Sequence, residues 1–407
     1  MTTIAPAAVR PAEPAETPRS GWGRWAWAPA VFVAVVAVRA FGNARGYDVF
    51  VDEVTYLRVS EGVARDLSVE LYGKVFFLHP PALFFLEGGW LQLFGSASPD
   101  VIDGVMQARW LIFLLAGLTA VVAVRLAWVL AGRWAAVATF VLVLLDPFLI
   151  RINSRNLLET PTLLFVLSGM LVLAGPLAHG GRLTNRRAAA GGVLLGLGVL
   201  TKDTAAITVS LPLLYLFVRR ETRGAALSAG VAMVLTYLPY PVATALTGHW
   251  QAFVDEKSVG ALRLSGQVQL TGFNAPGSAS FSDRIIERLS FYGASYVLMA
   301  AGGLAALWLV TRGRPAERLL GWWCGASYVF AAYSIVRGTL EEQLFYFVLL
   351  PAAVAVPVAV TAWAARRTDG AAANRRRRAR EGQRLRALPL AGAAVLLLWT
   401  APAVLSY

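Results

Sequence analysis

Long apolar runs divide the chain. They lie near residues 25–42, 109–131, 134–151, 157–178, 188–201, 204–218, 224–247, 290–310, 319–336, 342–365 and 387–406. Most approach the roughly 20 residues a helix needs to cross the hydrocarbon core, and two are short. Lipid offers no partner for a free N–H or C=O, so such runs form helices unless a closed barrel takes them. Barrel strands alternate apolar and polar residues, and these runs do not. The pattern predicts an all-α polytopic membrane protein of about 11–13 transmembrane helices. The first 24 residues, rich in Ala and Pro and without apolar periodicity, read as a disordered cytoplasmic tail. The run after Arg10, Arg19 and Arg24 reads as a retained signal anchor with its N-terminus inside.

Basic clusters set the orientation. Arg182, Arg186 and Arg187 form one, Arg219, Arg220 and Arg223 a second, and Arg312, Arg314 and Arg318 a third; nine arginines follow between Arg366 and Arg386. With all four inside, the turns around Lys202, 248–289 and Arg337–Glu342 fall outside, and the alternation is self-consistent. The same logic places Arg133 inside and Asn153–Asn156 outside. Residues 75–95, VFFLHPPALFFLEGGWLQLFG, resist the count, because a full crossing there would move Arg133 outside. His79-Pro80-Pro81 breaks a helix, which predicts re-entrant or juxtamembrane helices in the first exterior loop instead.

Composition agrees: 57% of the 407 residues are hydrophobic and 15% charged, against about 25% charged in soluble proteins. Disorder, collagen and a disulfide framework are excluded. The net charge of +13 comes largely from the loop arginines, so it predicts no nucleic-acid partner.

Five stretches carry candidate chemistry, all on the predicted exterior side. Asp52-Glu53, followed by Tyr56, pairs two carboxylates that could serve as a base or as metal ligands, or simply be solvated beside Arg45 and Arg58. His79 stands at the water–lipid boundary, where a lone histidine is usually structural; Glu87 is the nearby carboxylate, a weak metal-pair signal. Arg155 and Glu159 are one helical turn apart and can pair, as a functional charge or as an interfacial ion pair. Lys202 sits in a short turn, able to neutralise a phosphate or to pair locally with Asp203. Arg337, ahead of Tyr346, is a boundary charge or an ordinary loop charge.

These motifs resemble, in order, those of the GT-C class of integral-membrane glycosyltransferases, in its protein O-mannosyltransferase and aminoarabinose lipid A transferase branches. The resemblance rests on Asp52-Glu53-x-x-Tyr56, on LYGKVFFLHPPAL with Trp90-Leu-Gln-Leu-Phe-Gly95, on Ser154-Arg155 with Glu159, on GLGVLT-Lys202, and on Gln343-Leu-Phe-Tyr346 through Pro351. His79 stands where the aminoarabinose branch has Lys, Glu159 where Asp is commoner, and Gln343 where Arg is expected. The resemblance covers about residues 25–360 and implies a GT-C-like transmembrane catalytic domain over 25–365, with exterior loops 43–74 and 248–289, then a basic cytoplasmic loop 366–386 and a last helix 387–407.

It further implies transfer of a sugar from a polyprenyl-phosphate donor to a hydroxyl of a glycan, lipid or protein, with inversion, at the exterior face of a plasma membrane. Asp52 would be the base, with Glu53 and Glu159 as the other catalytic carboxylates. Tyr56, His79, Arg155, Lys202, Arg337 and Tyr346 would bind substrate. No cofactor is certain; Asp52 and Glu159 could hold a divalent metal. The alternatives are a transporter or lipid flippase, which would tend to show inverted repeats that are not visible here, and a non-catalytic scaffold.

Overall fold

The computed structural model describes residues 25–43, 48–95, 100–268, 277–337 and 345–369. The expected tail 1–24, most of the basic stretch 366–386 and the helix expected over 387–407 lie outside them.

The first helix, α1 (Ala28–Asn43), leads into two helices of the first loop, α2 (Val51–Asp66) and α3 (Ala82–Phe94). Between these sits a small antiparallel hairpin, β1 (Glu70–Leu71) and β2 (Lys74–Val75), with Glu70 opposite Val75 and Leu71 opposite Lys74. Its turn, Tyr72-Gly73, has φ of 52° and 75°, the pair of positive angles that a two-residue hairpin turn needs. The bundle follows: α4 (Val101–Ala131), α5 (Arg133–Leu145), α6 (Pro147–Asn153), α7 (Glu159–Ala178), α8 (Asn185–Thr201), α9 (Ala205–Val218) and α10 (Arg223–Tyr237). Then come α11 (Pro239–Leu246), α12 (Trp250–Leu264), α13 (Phe281–Glu287), α14 (Leu289–Arg312), α15 (Pro315–Arg337) and α16 (Tyr346–Asp369).

Among the described residues, 6 helical segments are long and apolar enough to cross a membrane, or 7 if α5 and α6, bent by 64°, form one broken span. That is fewer than the sequence count, for physical reasons. The run 134–151 breaks at Asp146-Pro147, where Asp146 caps α6 by accepting from Leu149 N–H at 2.9 Å. The runs behind α1, α8 and α9 give helices of only 16, 17 and 14 residues. The 13 residues of α3 extend about 20 Å, short of the roughly 30 Å core. The segment 75–95 stays with the first loop, Gln92 of α3 donating to the Ala64 carbonyl of α2 at 2.6 Å, and the parity conflict at Arg133 disappears.

Helix α16 is the centre of the bundle, with 78% of its apolar window buried, whereas the segment containing α10 is 11% buried and faces lipid. Glycines let α7, α8 and α10 approach closely. A Cβ on Gly192 would meet Ala229 O at 2.1 Å, and one on Gly169 would meet Leu195 and the Gly191 carbonyl.

The arginine clusters share one end of the bundle. There Tyr215 donates to the Pro315 carbonyl at 3.3 Å, Arg366 pairs with Glu317 at 2.9 Å and Arg125 lies 5.0 Å over Trp25. The five candidate stretches close the other end.

Candidate active site

The first loop is fastened by a buried ion pair. Glu53 is fully buried in the first turn of α2. Arg109, near the start of α4, grips it with two bonds, Nε to Oε1 and Nη2 to Oε2, each 2.8 Å. Phe50 N–H donates to Oε2 at 3.0 Å and Asn156 N–H to Oε1 at 2.7 Å. Arg109 also donates to the Asp48 carbonyl and to Asn43 Oδ1. Four donors thus hold Glu53, which ties α1, α2, α4 and the 153–159 turn together. A carboxylate so occupied is an anchor; the structure gives it no free lone-pair direction toward a substrate.

Asp52, its half-buried neighbour, points about 100° away around α2 and so faces off the Arg109 side. One turn on, Tyr56 is buried and meets His79 edge-on, ring centroids 5.7 Å apart. His79 packs on Phe76 as well. Burial first, then the charges of Lys202, Lys257 and Arg263, hold its pKa well below the ordinary histidine value, so His79 is neutral at neutral pH. It can donate or accept a hydrogen bond but adds no positive charge.

Glu159 opens α7, and its carboxylate accepts from Lys202 Nζ; both side chains are buried. Arg155 is not its partner. The helix starts at Glu159, so Arg155 precedes it in a turn, and the i, i+4 geometry does not exist. Arg155 instead reaches Asp48 Oδ2 at 2.5 Å and lies 4.2 Å over the Phe50 ring, with Nη1 buried and unbonded. Burial, then Arg151, lowers its pKa, with Asp48 and Glu53 opposing. The local Lys202–Asp203 pair is also absent. Lys202 ends α8 in extended backbone, which sends adjacent side chains apart. Asp203 accepts from Tyr237 Oη at 2.8 Å and from Lys257 of α12 at 2.6 Å.

Two predicted residues stand at the margins of the site. Arg337 is exposed and bonds the Ser265 carbonyl at 2.9 Å and 2.6 Å, anchoring the end of α12. Tyr346 is fully buried in the bundle, its hydroxyl facing Asn153 and Thr160, behind the site and not on its surface. Sequence reasoning missed Arg109, Asp48, Asn156 and Lys257. Arg109 alone carried a usable signal, as a charge at the edge of an apolar run.

One chain of contacts links the stretches: Glu53 to Asn156, Glu159 to Lys202, Asp203 to Lys257, and Ser265, just past α12, to Arg337. They share one face, as expected. For a metal the fit is poor: the Glu159 oxygen is taken by Lys202, and among the described residues no three of His, Cys, Asp and Glu group to hold an ion.

Residues 84–234 match the family of dolichyl-phosphate-mannose-protein mannosyltransferases, a segment containing Glu87, Arg109, Arg155, Glu159 and Lys202. The fold is similar to ArnT from Cupriavidus metallidurans bound to undecaprenyl phosphate, with TM-score 0.61 and 19% identity over 94% of this chain and 72% of that one. The chain has the GT-C-type fold. It is also similar to the archaeal oligosaccharyltransferase AglB from Archaeoglobus fulgidus, in complex with an inhibitory peptide and a dolichol-phosphate (TM-score 0.59, 14% identity, 94% of this chain). It spans 56% of the AglB chain's length. No curated protein sequence matches it.

Proposed function

We propose that this protein is a glycosyltransferase that moves a sugar from a polyprenyl-phosphate donor to an acceptor hydroxyl at the exterior face of a plasma membrane, with inversion at the anomeric carbon. The observation that carries the reading is the docking of α2 and the residues just before it on the 153–159 turn, through Glu53–Asn156 and Asp48–Arg155. It fixes the first turn of α2, which carries Asp52, at the end of the bundle that also holds Arg155, Lys202 and Lys257.

In the reaction the acceptor oxygen forms a bond to the anomeric carbon as the bond from that carbon to the phosphate oxygen breaks. Asp52 takes the acceptor's proton. The leaving polyprenyl phosphate keeps the electron pair as a monoester, and its growing charge requires donors. Arg155 Nη1, buried without a protein partner, and the remaining protons of Lys202 supply them. Glu159 holds Lys202 in place, and neutral His79 hydrogen-bonds the sugar or the phosphate. The arginine-rich end lies in the cytoplasm by the positive-inside rule, which puts the site outside.

The test is chemical. Purified protein incubated with radiolabelled polyprenyl-phosphate sugar and envelope glycan, lipid or protein acceptors should release free polyprenyl phosphate in step with acceptor labelling. Passage of intact donor across vesicles, with neither product, would overturn the reading. Mass spectrometry of envelope glycans from a deletion strain identifies the acceptor.

A further inference from the structure

The 153–159 turn is fastened to both helices of the first loop through one residue. Asn156 donates its backbone N–H to Glu53 Oε1 at 2.7 Å and its side-chain Nδ2 to Glu87 Oε1 at 2.8 Å. Asn156, Glu53 and Glu87 are all fully buried. Glu53 has Arg109 as its counter-ion, whereas the group bonded to Glu87 is a neutral amide.

The remaining atoms of that contact are acceptors, and the donor beside them is the single hydroxyl of Ser60. Glu87 Oε2 and Asn156 Oδ1 are both buried without a protein partner, as is the Ser60 hydroxyl beside them on α2. The charges on α2 that act on Glu87 are of its own sign, Glu53 and Glu61. The cations brought by the neighbouring elements are bonded elsewhere: Arg109 of α4 to Glu53, Lys202 at the end of α8 to Glu159, and Arg155 of the turn to Asp48. An ionised carboxylate here would be a buried charge without a cation, with one hydroxyl proton to serve two acceptors. A carboxylic acid supplies the missing proton. Its Oε2–H can donate to Asn156 Oδ1 while Asn156 Nδ2 donates to Oε1, closing a two-bond ring.

We propose that Glu87 is kept as the neutral acid, closes this ring on Asn156, and is the positioning residue that fixes the 153–159 turn against α2 and α3. The inference rests on the reading of that turn as part of the transferase site. Burial pushes the Glu87 carboxyl up to about 8; Glu53 and Glu61 add to the rise, and Asn156 and Ser60 oppose it. Because the folded-state value is raised, the stabilisation belongs to the protonated form and is lost as pH rises through that value.

Glu87→Gln preserves the ring, with Nε2 donating to Asn156 Oδ1 and Oε1 accepting from Nδ2; Glu87→Ala removes it. Melting of the purified full-length protein is followed against pH, with transfer from a polyprenyl-phosphate sugar read alongside. From this group, wild type should lose melting temperature as pH rises from about 4.5 to about 8 and level off above it, and Glu87→Gln should lack that loss. At neutral pH, Glu87→Gln should keep kcat within about twofold, and Glu87→Ala should lose about tenfold or more in kcat/KM. The infrared difference spectrum, wild type minus Glu87→Gln, should contain a protonated-carboxyl stretch at neutral pH.

The proposal fails if that band is missing, if Glu87→Gln shows the same loss as wild type, or if Glu87→Gln is as impaired as Glu87→Ala or does not fold. Melting and infrared readouts need no turnover. A wild type that transfers nothing yet melts with the expected pH dependence would therefore count against the donor chemistry alone.

Discussion

Arg109→Leu is the perturbation whose cost the structure fixes best. It removes both 2.8 Å charge-assisted bonds to Glu53 and strips donors from the Asp48 carbonyl and Asn43. The Glu53 carboxylate stays fully buried, with two backbone N–H groups as its remaining donors among the four. Leaving a buried charge without its partner costs about 3–5 kcal/mol, far above the roughly 0–1 kcal/mol of an exposed pair. Adding Glu53→Gln removes the stranded charge yet keeps an oxygen for the Asn156 N–H, so the double variant should regain about 2 kcal/mol. Chemical denaturation in detergent, run as a double-mutant cycle, reads this directly. Limited proteolysis should show the first loop cut first, because the pair holds α2 and not the bundle. The reasoning is wrong if Arg109→Leu costs less than about 1 kcal/mol, or if the double variant is weaker than the single one.

Other outcomes follow from local geometry. Gly192→Ala drives a Cβ to 2.1 Å from Ala229 O and should cost about 1–3 kcal/mol in melting experiments. Gly230→Ala, with nothing within 4 Å, should hold or gain up to about 1 kcal/mol in the same experiments. Arg155→Lys keeps a cation for the exposed Asp48 but loses the second, unbonded donor, so the KM for donor should rise about tenfold with little change in melting. Asp203→Asn breaks a partly exposed pair with Lys257 and should shift stability by less than about 1 kcal/mol, while α12 becomes easier to cleave.

The sequence showed the class of the fold and the shared face, because apolar length and arginine placement report directly on lipid and cytoplasm. It showed the pairings poorly. Glu159 sits four residues after Arg155, yet a pairing rule for helices applies only inside one helix, and α7 begins at Glu159 itself. Lys202 and Asp203 are neighbours, yet extended backbone at Lys202 sends them to Glu159 and Lys257. Arg109 and Glu53 are 56 residues apart, so only the packing of α2 on α4 could join them. Tyr346 entered as a candidate through the resemblance of Gln343–Pro351 to a family motif; its burial against Asn153 and Thr160 follows from α16, which it begins, running through the middle of the bundle.

The central claim is that the carboxylate beside the Glu53 anchor does the proton transfer at a site whose cations bind the donor. The measurement that bears on it most directly is donor binding and turnover, side by side, on Asp52→Asn. Donor affinity should stay near the wild-type value, melting should be unchanged, and kcat should fall by about 10²–10⁴-fold, the usual worth of a positioned base. A variant that still turns over within about tenfold of wild type, or one that loses donor binding and turnover together, would contradict it.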